Sequence, residues 1–262
     1  MSSLKSFALE GVKDVMRGGP GFAATAMRAR SGGGEMQFPV SGKRALTVRR
    51  GSSDLDVCRQ IFRDEQYRVI YAPYLERLAR FEARMLSRGK VPVILDLGAN
   101  VGAAALWFHD AFPKAHIVSV EPDPANAALA RRNIAGLDRI EVVEAAIGST
   151  PGHVSVNSDT DPFAVTTERA DSGCPVVTVK EAIARVPNGE LFIAKVDIEG
   201  FEDDLFAEAT DWIDQAAMLY IEPHDHIFPD RGSSASFQRA MGTRDFDVLI
   251  KGENLIYIRR EG

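Results

Sequence analysis

Val91-Pro-Val-Ile-Leu-Asp-Leu-Gly-Ala-Asn-Val-Gly102 is the stretch on which the reading of this chain turns. Val91 and Val93 to Leu95 form an apolar run that ends in Asp96. Such a run suits a strand buried on both faces of a parallel sheet. Gly98 and Gly102 then bracket a short turn, and Ala103 to Phe108 reads as a helix. A glycine turn at the carboxyl end of a strand lets a ligand approach both the backbone and the N-terminus of the next helix.

The glycine spacing narrows the ligand. A dinucleotide fingerprint is G-x-G-x-x-G, with a pyrophosphate on the helix N-terminus. Here the pattern is Asp96-x-Gly98-x-Asn100-x-Gly102, with a carboxylate at the strand end. That carboxylate repels a pyrophosphate and favours a cationic ligand. S-adenosylmethionine carries a sulfonium and an amino group, and the loop resembles motif I of class I methyltransferases. The competing reading is a structural turn in another α/β enzyme.

The 262 residues, 45% hydrophobic and 26% charged, have the composition of an ordinary soluble globular protein. A net charge of −6 argues against a nucleic-acid partner. Cys58 and Cys174 have no CxxC spacing and read as reduced thiols of a cytoplasmic protein. No apolar run reaches transmembrane length, and the N-terminus lacks the apolar core of a signal peptide.

Before the decisive stretch, residues 1–90 read as a cap of helices and a hairpin whose apolar faces need a surface to pack on. Leu4, Phe7, Ala8, Val12, Val15 and Met16 recur at helical spacing with Lys5, Lys13 and Arg17 between them. A peripheral membrane contact through residues 1–20 is compatible with that pattern; a helix packed on the domain is the preferred reading. Gly18 to Gly21 and Gly32 to Gly34 are breaks. Phe38 and Val40, a Ser41-Gly42 turn, then Leu46 and Val48 predict a hairpin. Ser53 and Asp56 resemble a capping box opening a helix through Phe62. A further helix is predicted over 74–87, stopped by Gly89.

After residue 91 strand and helix alternate. Strands are predicted at 116–120, 140–143, 176–179, 191–196 and 218–221, with helices at 124–134, 181–186, 201–209 and 234–241. Ala146 to Val156 reads as a strand-turn-strand, Asn157 to Gly173 as a polar loop beside the acceptor, and 246–258 as an antiparallel hairpin. The alternation predicts an α/β, Rossmann-like doubly wound sheet over 91–262, mostly parallel. Ligands of such sheets sit beyond the carboxyl ends of the strands, at the switch point. Asp96, Glu121, Glu144, Asp197, Glu199, Glu222 and His224 all fall there.

Glu121, followed by Pro122, is placed to accept hydrogen bonds from both ribose hydroxyls of an adenosine. Glu144, Ala145 and Ala146 fall where an adenine edge would lie. Lys195-Val-Asp-Ile-Glu-Gly200 sets three charged residues at the end of a buried strand, which calls for a ligand or an ion-pair network.

Taken together, Asp96 to Gly102, Val120-Glu-Pro122, Ala146-Ile-Gly148, Lys195-Val-Asp-Ile-Glu-Gly-Phe-Glu202 and Ile221-Glu222 with His224 resemble the FkbM family of methyltransferases. The upstream Ser53 to Leu55, Ile61-Phe62 and Glu65-Gln-Tyr67 fit the same family, and the resemblance covers roughly residues 45–260. It implies a class I fold that binds S-adenosylmethionine and methylates a hydroxyl, often on a sugar or polyketide. The Glu144-Ala145 pair departs from the family pattern, where an asparagine is expected.

The sulfonium already activates the methyl group, so what remains is positioning and removal of the acceptor proton. His224 is the expected base. Asp197 orients it or acts in its place, with Glu199 and Lys195 beside it, and His226 is a rival. Asp197, Glu199, Glu222 and His224 also offer ligands to Mg²⁺, though without diagnostic spacing, and no metal site is predicted. The resulting expectation is an O-methyltransferase acting on a small-molecule or glycan acceptor: a sugar, a glycolipid or a secondary metabolite. Asp96, Gly98, Asn100, Gly102, Glu121, Pro122, Glu144, Ala145, Ala146 and Asp197 would contact the cofactor. The rivals are an NAD-dependent oxidoreductase on a similar sheet and a non-catalytic S-adenosylmethionine-binding scaffold.

Overall fold

The computed structural model describes residues 2–41, 44–157, 166–227 and 229–261. Its contacts divide the chain into two compact units, Met1–Tyr67 and Arg68–Gly262.

The first unit opens with α1 (Ser2–Ala29), broken at Gly19, whose φ of 82° and ψ of 170° lie outside helical space. Pro20 restarts the helix, as proline does well at a first turn. β1 (Glu35–Ser41) and β2 (Arg44–Arg49) pair antiparallel, as the alternation predicts. The expected turn residue Gly42 lies outside the described residues, as do the side chains of Leu4, Lys5, Phe7 and Ala8. α2 (Asp54–Cys58) continues into a π-helical turn, Arg59–Arg63. The predicted capping box does not form. Ser53 makes no side-chain cap, and the Ser52 hydroxyl accepts from the Asp54 N–H instead. Phe38, Leu46, Val48 and Cys58 are fully buried.

The second unit begins with α3 (Ala72–Ser87), which packs on two strands of the main sheet. There follow β3 (Val91–Leu97), α4 (Ala103–Ala111), β4 (His116–Glu121), α5 (Pro124–Asn133) and β5 (Ile140–Glu144). Next come β6 (Ala146–Gly148), β7 (Gly152–Asn157), β8 (Thr166–Ala170), β9 (Cys174–Thr178) and α6 (Val179–Ala184). The chain ends with β10 (Gly189–Val196), α7 (Glu202–Leu205), a 3₁₀ turn, β11 (Met218–Ile221), α8 (Ala235–Met241), β12 (Phe246–Lys251) and β13 (Asn254–Arg259).

Seven strands form one sheet in the order β12-β13-β11-β10-β3-β4-β5. The pairs from β11 through β5 are parallel, and β13 runs antiparallel to both of its neighbours. This is the doubly wound sheet with a C-terminal antiparallel hairpin that the sequence predicts. Val93, Ile94, Leu95 and Leu97 are fully buried in its centre. Each such side chain contributes about 1.5–3 kcal/mol by leaving water.

The sequence misplaces the smaller sheet. β6 and β7 do not pair with each other, because β9 lies between them in the order β6-β9-β7-β8. Thr166–Ala170, inside the expected polar loop, is strand β8 and pairs antiparallel with β7. The middle of that loop, 158–165, lies outside the described residues. The helix predicted over 201–209 is one turn only, at Glu202–Leu205.

The chain leaves β3 towards β4 and β5 on one side and later fills β10 and β11 on the other. The reversal point therefore lies between β3 and β10. Sheets of this kind bind their ligands beyond the strand carboxyl ends at such a point.

Candidate active site

The loop after β3 is shaped by backbone demands. Gly98 has φ 78°, and a Cβ added there would sit 1.8 Å from the Asp197 carbonyl oxygen, so the loops after β3 and β10 touch through a glycine. Asn100 holds φ 48°, a left-handed conformation that asparagine tolerates better than most residues. Gly102 caps α4 at φ 82°, and a Cβ there would meet Ala130 of α5 at 3.3 Å. The N–H groups of Gly98 and Ala99 donate to the Val120 carbonyl at 2.9 and 3.1 Å, and Asn133 Nδ2 donates to the Val101 carbonyl at 2.8 Å.

Glu121 is buried at the end of β4, and the loop converges on it. Its Oε2 accepts from the Asn100 N–H at 2.8 Å, and its Oε1 from the Asp123 N–H at 3.0 Å. Oε1 also accepts from Asn126 Nδ2 at 3.5 Å, and Oε2 keeps a further lone pair for a ligand hydroxyl. Burial pushes its pKa up to about 7, against the opposing effect of those two N–H groups. Asn100 Oδ1, close by, is buried with no hydrogen-bond partner. A fixed carboxylate and an orphaned acceptor together fit an adenosine-type cofactor.

Asp96 has a different surrounding from the one expected. It is fully buried, and its cationic neighbour is Lys195 of the adjacent strand, whose Nζ lies 3.3 Å from Oδ1. The β3/β10 register sets Asp96 opposite Lys195. Ser119 donates to Oδ2 at 3.3 Å. Burial raises the Asp96 pKa, and the charge of Lys195 opposes that rise. Lys195 Nζ also donates to the Gly98 carbonyl at 2.5 Å and lies 3.3 Å from Asp197 Oδ2, so one ammonium ties together the loops after β3 and β10.

The remaining cofactor candidates spread out. Pro122 is half-buried. Glu144 is exposed and paired with Arg131 at 2.9 Å. Ala145 and Ala146 are buried, and the Ala145 N–H donates to the Glu121 carbonyl.

Beyond β10 and β11 the structure gathers Asp197, Glu222 and His224, whose ligand atoms lie within 4.8 Å of one another. His224 is buried, and its Nδ1 is 2.6 Å from Glu202 Oε1. Its Nε2 faces Asp197 Oδ1 at 3.5 Å and Glu222 Oε1 at 4.0 Å. Burial lowers the His224 pKa, but the Glu202 hydrogen bond and the charges of Asp197, Glu202 and Glu222 outweigh it and raise it to about 9. Burial and the Asp197 charge push Glu222 up to about 8. The expected base is therefore held protonated near neutral pH. Glu199 lies on the same loop at φ 50°. His226, the rival base, is exposed, with its ring centroid 6.2 Å from that of His224.

Glu202 is the site residue that sequence reasoning passes over. It is buried on α7, five residues beyond Asp197, and its only sequence signal is its place at the end of the Lys195–Glu202 motif.

Fold and site together define a methyltransferase domain of class I type. The methyltransferase FkbM domain matches residues 96–247, and the chain belongs to that family. It is 27% identical over 164 residues to the 2-O-methyltransferase NoeI of Sinorhizobium fredii, covering 51% of this chain and 64% of that protein. It is 31% identical over 104 residues to the release factor glutamine methyltransferase of Deinococcus radiodurans, covering 39% and 37%. The chain thus spans less than two thirds of the length of either curated relative. Among solved structures, the S-adenosylhomocysteine-bound methyltransferase PaMTH1 of Podospora anserina aligns with a TM-score of 0.39 at 13% identity, over 74% of this chain and 89% of that one. No helix among the described residues is long and apolar enough to cross a membrane.

Proposed function

We propose that this chain transfers the methyl group of S-adenosylmethionine to a hydroxyl oxygen of a sugar, glycan, glycolipid or secondary metabolite. The observation that carries the reading is the meeting of two assemblies at one end of the sheet. One is the Glu121-anchored loop over Asp96 to Gly102, and the other is the buried His224–Glu202 pair facing Asp197 and Glu222. NoeI, by its name a 2-O-methyltransferase, supports oxygen as the acceptor atom.

In this reading Glu121 accepts from the ribose hydroxyls, and Gly98 and Gly102, packed against Asp197 and Ala130, hold the loop in the conformation that presents its backbone to the cofactor. Asn100 Oδ1 supplies a further acceptor. Pro122, Glu144, Ala145 and Ala146 border the adenine. Lys195 neutralises Asp96 and holds Asp197 in place. Bound there, S-adenosylmethionine would supply a methyl group already activated by its sulfonium, the acceptor hydroxyl oxygen being the nucleophile and S-adenosylhomocysteine the leaving group. The hydroxyl proton passes to the Asp197–Glu222–His224 cluster. His224 receives it only after losing the proton its carboxylate neighbours hold on it; Asp197, directly beside it, is the alternative acceptor. Membership of a methyltransferase family sets aside the nicotinamide oxidoreductase. The built proton-handling cluster speaks against a mere binding scaffold.

The test is a calorimetric titration with S-adenosylhomocysteine on the wild type and Glu121→Ala, followed by transfer assays on hydroxylated acceptors. Micromolar binding, about −8 kcal/mol, that weakens in the variant supports the reading. A folded wild type that does not bind would overturn it.

A further inference from the structure

We infer that Asp197, Glu222 and His224 form a binding site for a divalent transition-metal ion, held by Asp197 Oδ1, Glu222 Oε1 and His224 Nε2. The inference deepens the methyl-transfer reading and rests on it for the ion's role, but the site stands on geometry of its own.

The three donors already form a cage close to ion-binding dimensions. The three donor atoms lie within 4.8 Å of one another, with Nε2 at 3.5 Å from Asp197 Oδ1 and 4.0 Å from Glu222 Oε1. Ligands about 2.0–2.2 Å from a common ion sit roughly 3–4 Å apart. Two of the three separations already fall in that range, and the third needs to close by at most about 2 Å.

The ligands are also braced from behind. A metal-bound histidine commonly donates its other ring N–H to a carboxylate, which fixes the tautomer and aims the free nitrogen. His224 Nδ1 has that partner in Glu202 Oε1 at 2.6 Å. Both side chains are buried, and Glu202 makes no hydrogen bond through its other oxygen. Asp197 is braced in a comparable way: Lys195 Nζ lies 3.3 Å from Oδ2, leaving Oδ1 directed at His224. A cation inserted among the three donors displaces neither brace.

The donor set narrows the ion. One imidazole with two carboxylates suits Mn²⁺, Fe²⁺ or Zn²⁺ better than Mg²⁺, which prefers all-oxygen shells and keeps its waters. This departs from the sequence expectation, in which no metal is predicted and Mg²⁺ is the ion considered. Three protein ligands leave open positions, where a hydroxyl reaching the ion becomes more acidic. In that state His224 is a ligand, not the base.

The test uses the full chain stripped with EDTA and titrated with Mn²⁺, following the loss of the free-ion electron paramagnetic resonance signal. The wild type, Glu222→Gln and Glu202→Gln are compared, and each is also titrated with S-adenosylhomocysteine in calorimetry. Expected are one Mn²⁺ per wild-type chain and binding weakened at least about tenfold in both variants, with S-adenosylhomocysteine affinity retained. Wild-type protein that binds S-adenosylhomocysteine but no Mn²⁺ overturns the site, as does Mn²⁺ affinity identical in all three proteins. Mn²⁺ binding that depends on Glu222 and Glu202 in a chain unable to bind S-adenosylhomocysteine supports the metal site, while the methyl-transfer reading falls.

Discussion

His224 Nδ1 and Glu202 Oε1 lie 2.6 Å apart, both side chains buried, on segments separated by 22 residues in the chain. The contact leaves Nε2 of the imidazole facing Asp197 and Glu222. Glu202→Gln keeps the volume and removes the charge. We expect turnover to fall about 10–100-fold, while the dissociation constant for S-adenosylhomocysteine changes by less than about twofold, since Glu202 is placed outside the cofactor loop. Steady-state kinetics beside calorimetry separate the two effects. Equal losses in both would mean that Glu202 supports the whole fold and not the histidine.

Gly98→Ala attacks the seam between the two halves of the sheet. A Cβ at that position would lie 1.8 Å from the Asp197 carbonyl oxygen, a backbone atom that cannot step aside cheaply. The φ of 78° adds about 1–2 kcal/mol for any L side chain. We expect a loss on the order of 3 kcal/mol or more, with a fall in Tm of about 6 °C or more. Differential scanning calorimetry reads it. A Tm within about 1 °C of wild type would show that the two loops are not in contact as described.

Sequence pattern exposes what depends on one segment and hides what depends on two. The strands at Val91–Leu97 and Gly189–Val196 are legible because burial on both faces demands unbroken apolar runs. The switch-point rule then sends Asp96, Glu121, Asp197, Glu222 and His224 towards one end of the sheet without knowledge of any contact. The Asp96–Lys195 pair is not legible, because it needs β3 and β10 to be neighbours in a particular register across 98 intervening residues. Glu202 is hidden for the same reason. β8 is missed on other grounds. Thr166-Thr-Glu-Arg-Ala170 has no apolar alternation, and its backbone pairing with β7 at the edge of the small sheet defines it. The Ser53 cap fails because Ser53 has helical φ and ψ, which points its side chain away from the N–H groups it would need.

Glu121 ties cofactor affinity to pH. Burial raises its folded-state pKa from 4.5 to about 7, so the neutral form is favoured in the fold. The sign follows from linkage: the proton's contribution to folded-state stability is full below about pH 4.5, and it is lost as pH rises from there through about 7. Ribose hydroxyls donate best to the charged carboxylate, so the bound ligand pulls the pKa back down. S-adenosylhomocysteine is therefore expected to bind more tightly at about pH 8 than at about pH 6, by up to about tenfold. In Glu121→Gln that slope disappears, and affinity at the higher pH falls by about tenfold or more, the cost of losing charge-assisted hydrogen bonds. Calorimetry across this range on both proteins is the measurement. A pH slope that persists in the variant would place the titrating group elsewhere.

In the first unit, Asp14 joins two arginines that are themselves almost wholly buried. Its Oδ2 accepts from Arg59 at 2.6 Å and its Oδ1 from Arg63 at 2.6 Å, with Glu10 reaching Arg63 from one turn earlier. Removing one member of a buried ionic cluster leaves the desolvation cost of the others uncompensated, typically about 3–5 kcal/mol. Arg59 keeps Asp56, and Arg63 keeps Glu10 and Asp64, so the lower part of that range applies to Asp14→Ala. Salt does little to such a pair, because its members are shielded from solvent ions. Hydrogen exchange read by mass spectrometry should therefore show faster exchange across residues 9–67 of Asp14→Ala at low and high ionic strength alike. Protection across β3, β4 and β10 should be unchanged, since these strands belong to the other compact unit. Loss of protection spread evenly over both units would mean that the chain unfolds as one cooperative body. A wild-type pattern in Asp14→Ala would mean that the remaining carboxylates suffice to hold both guanidinium groups.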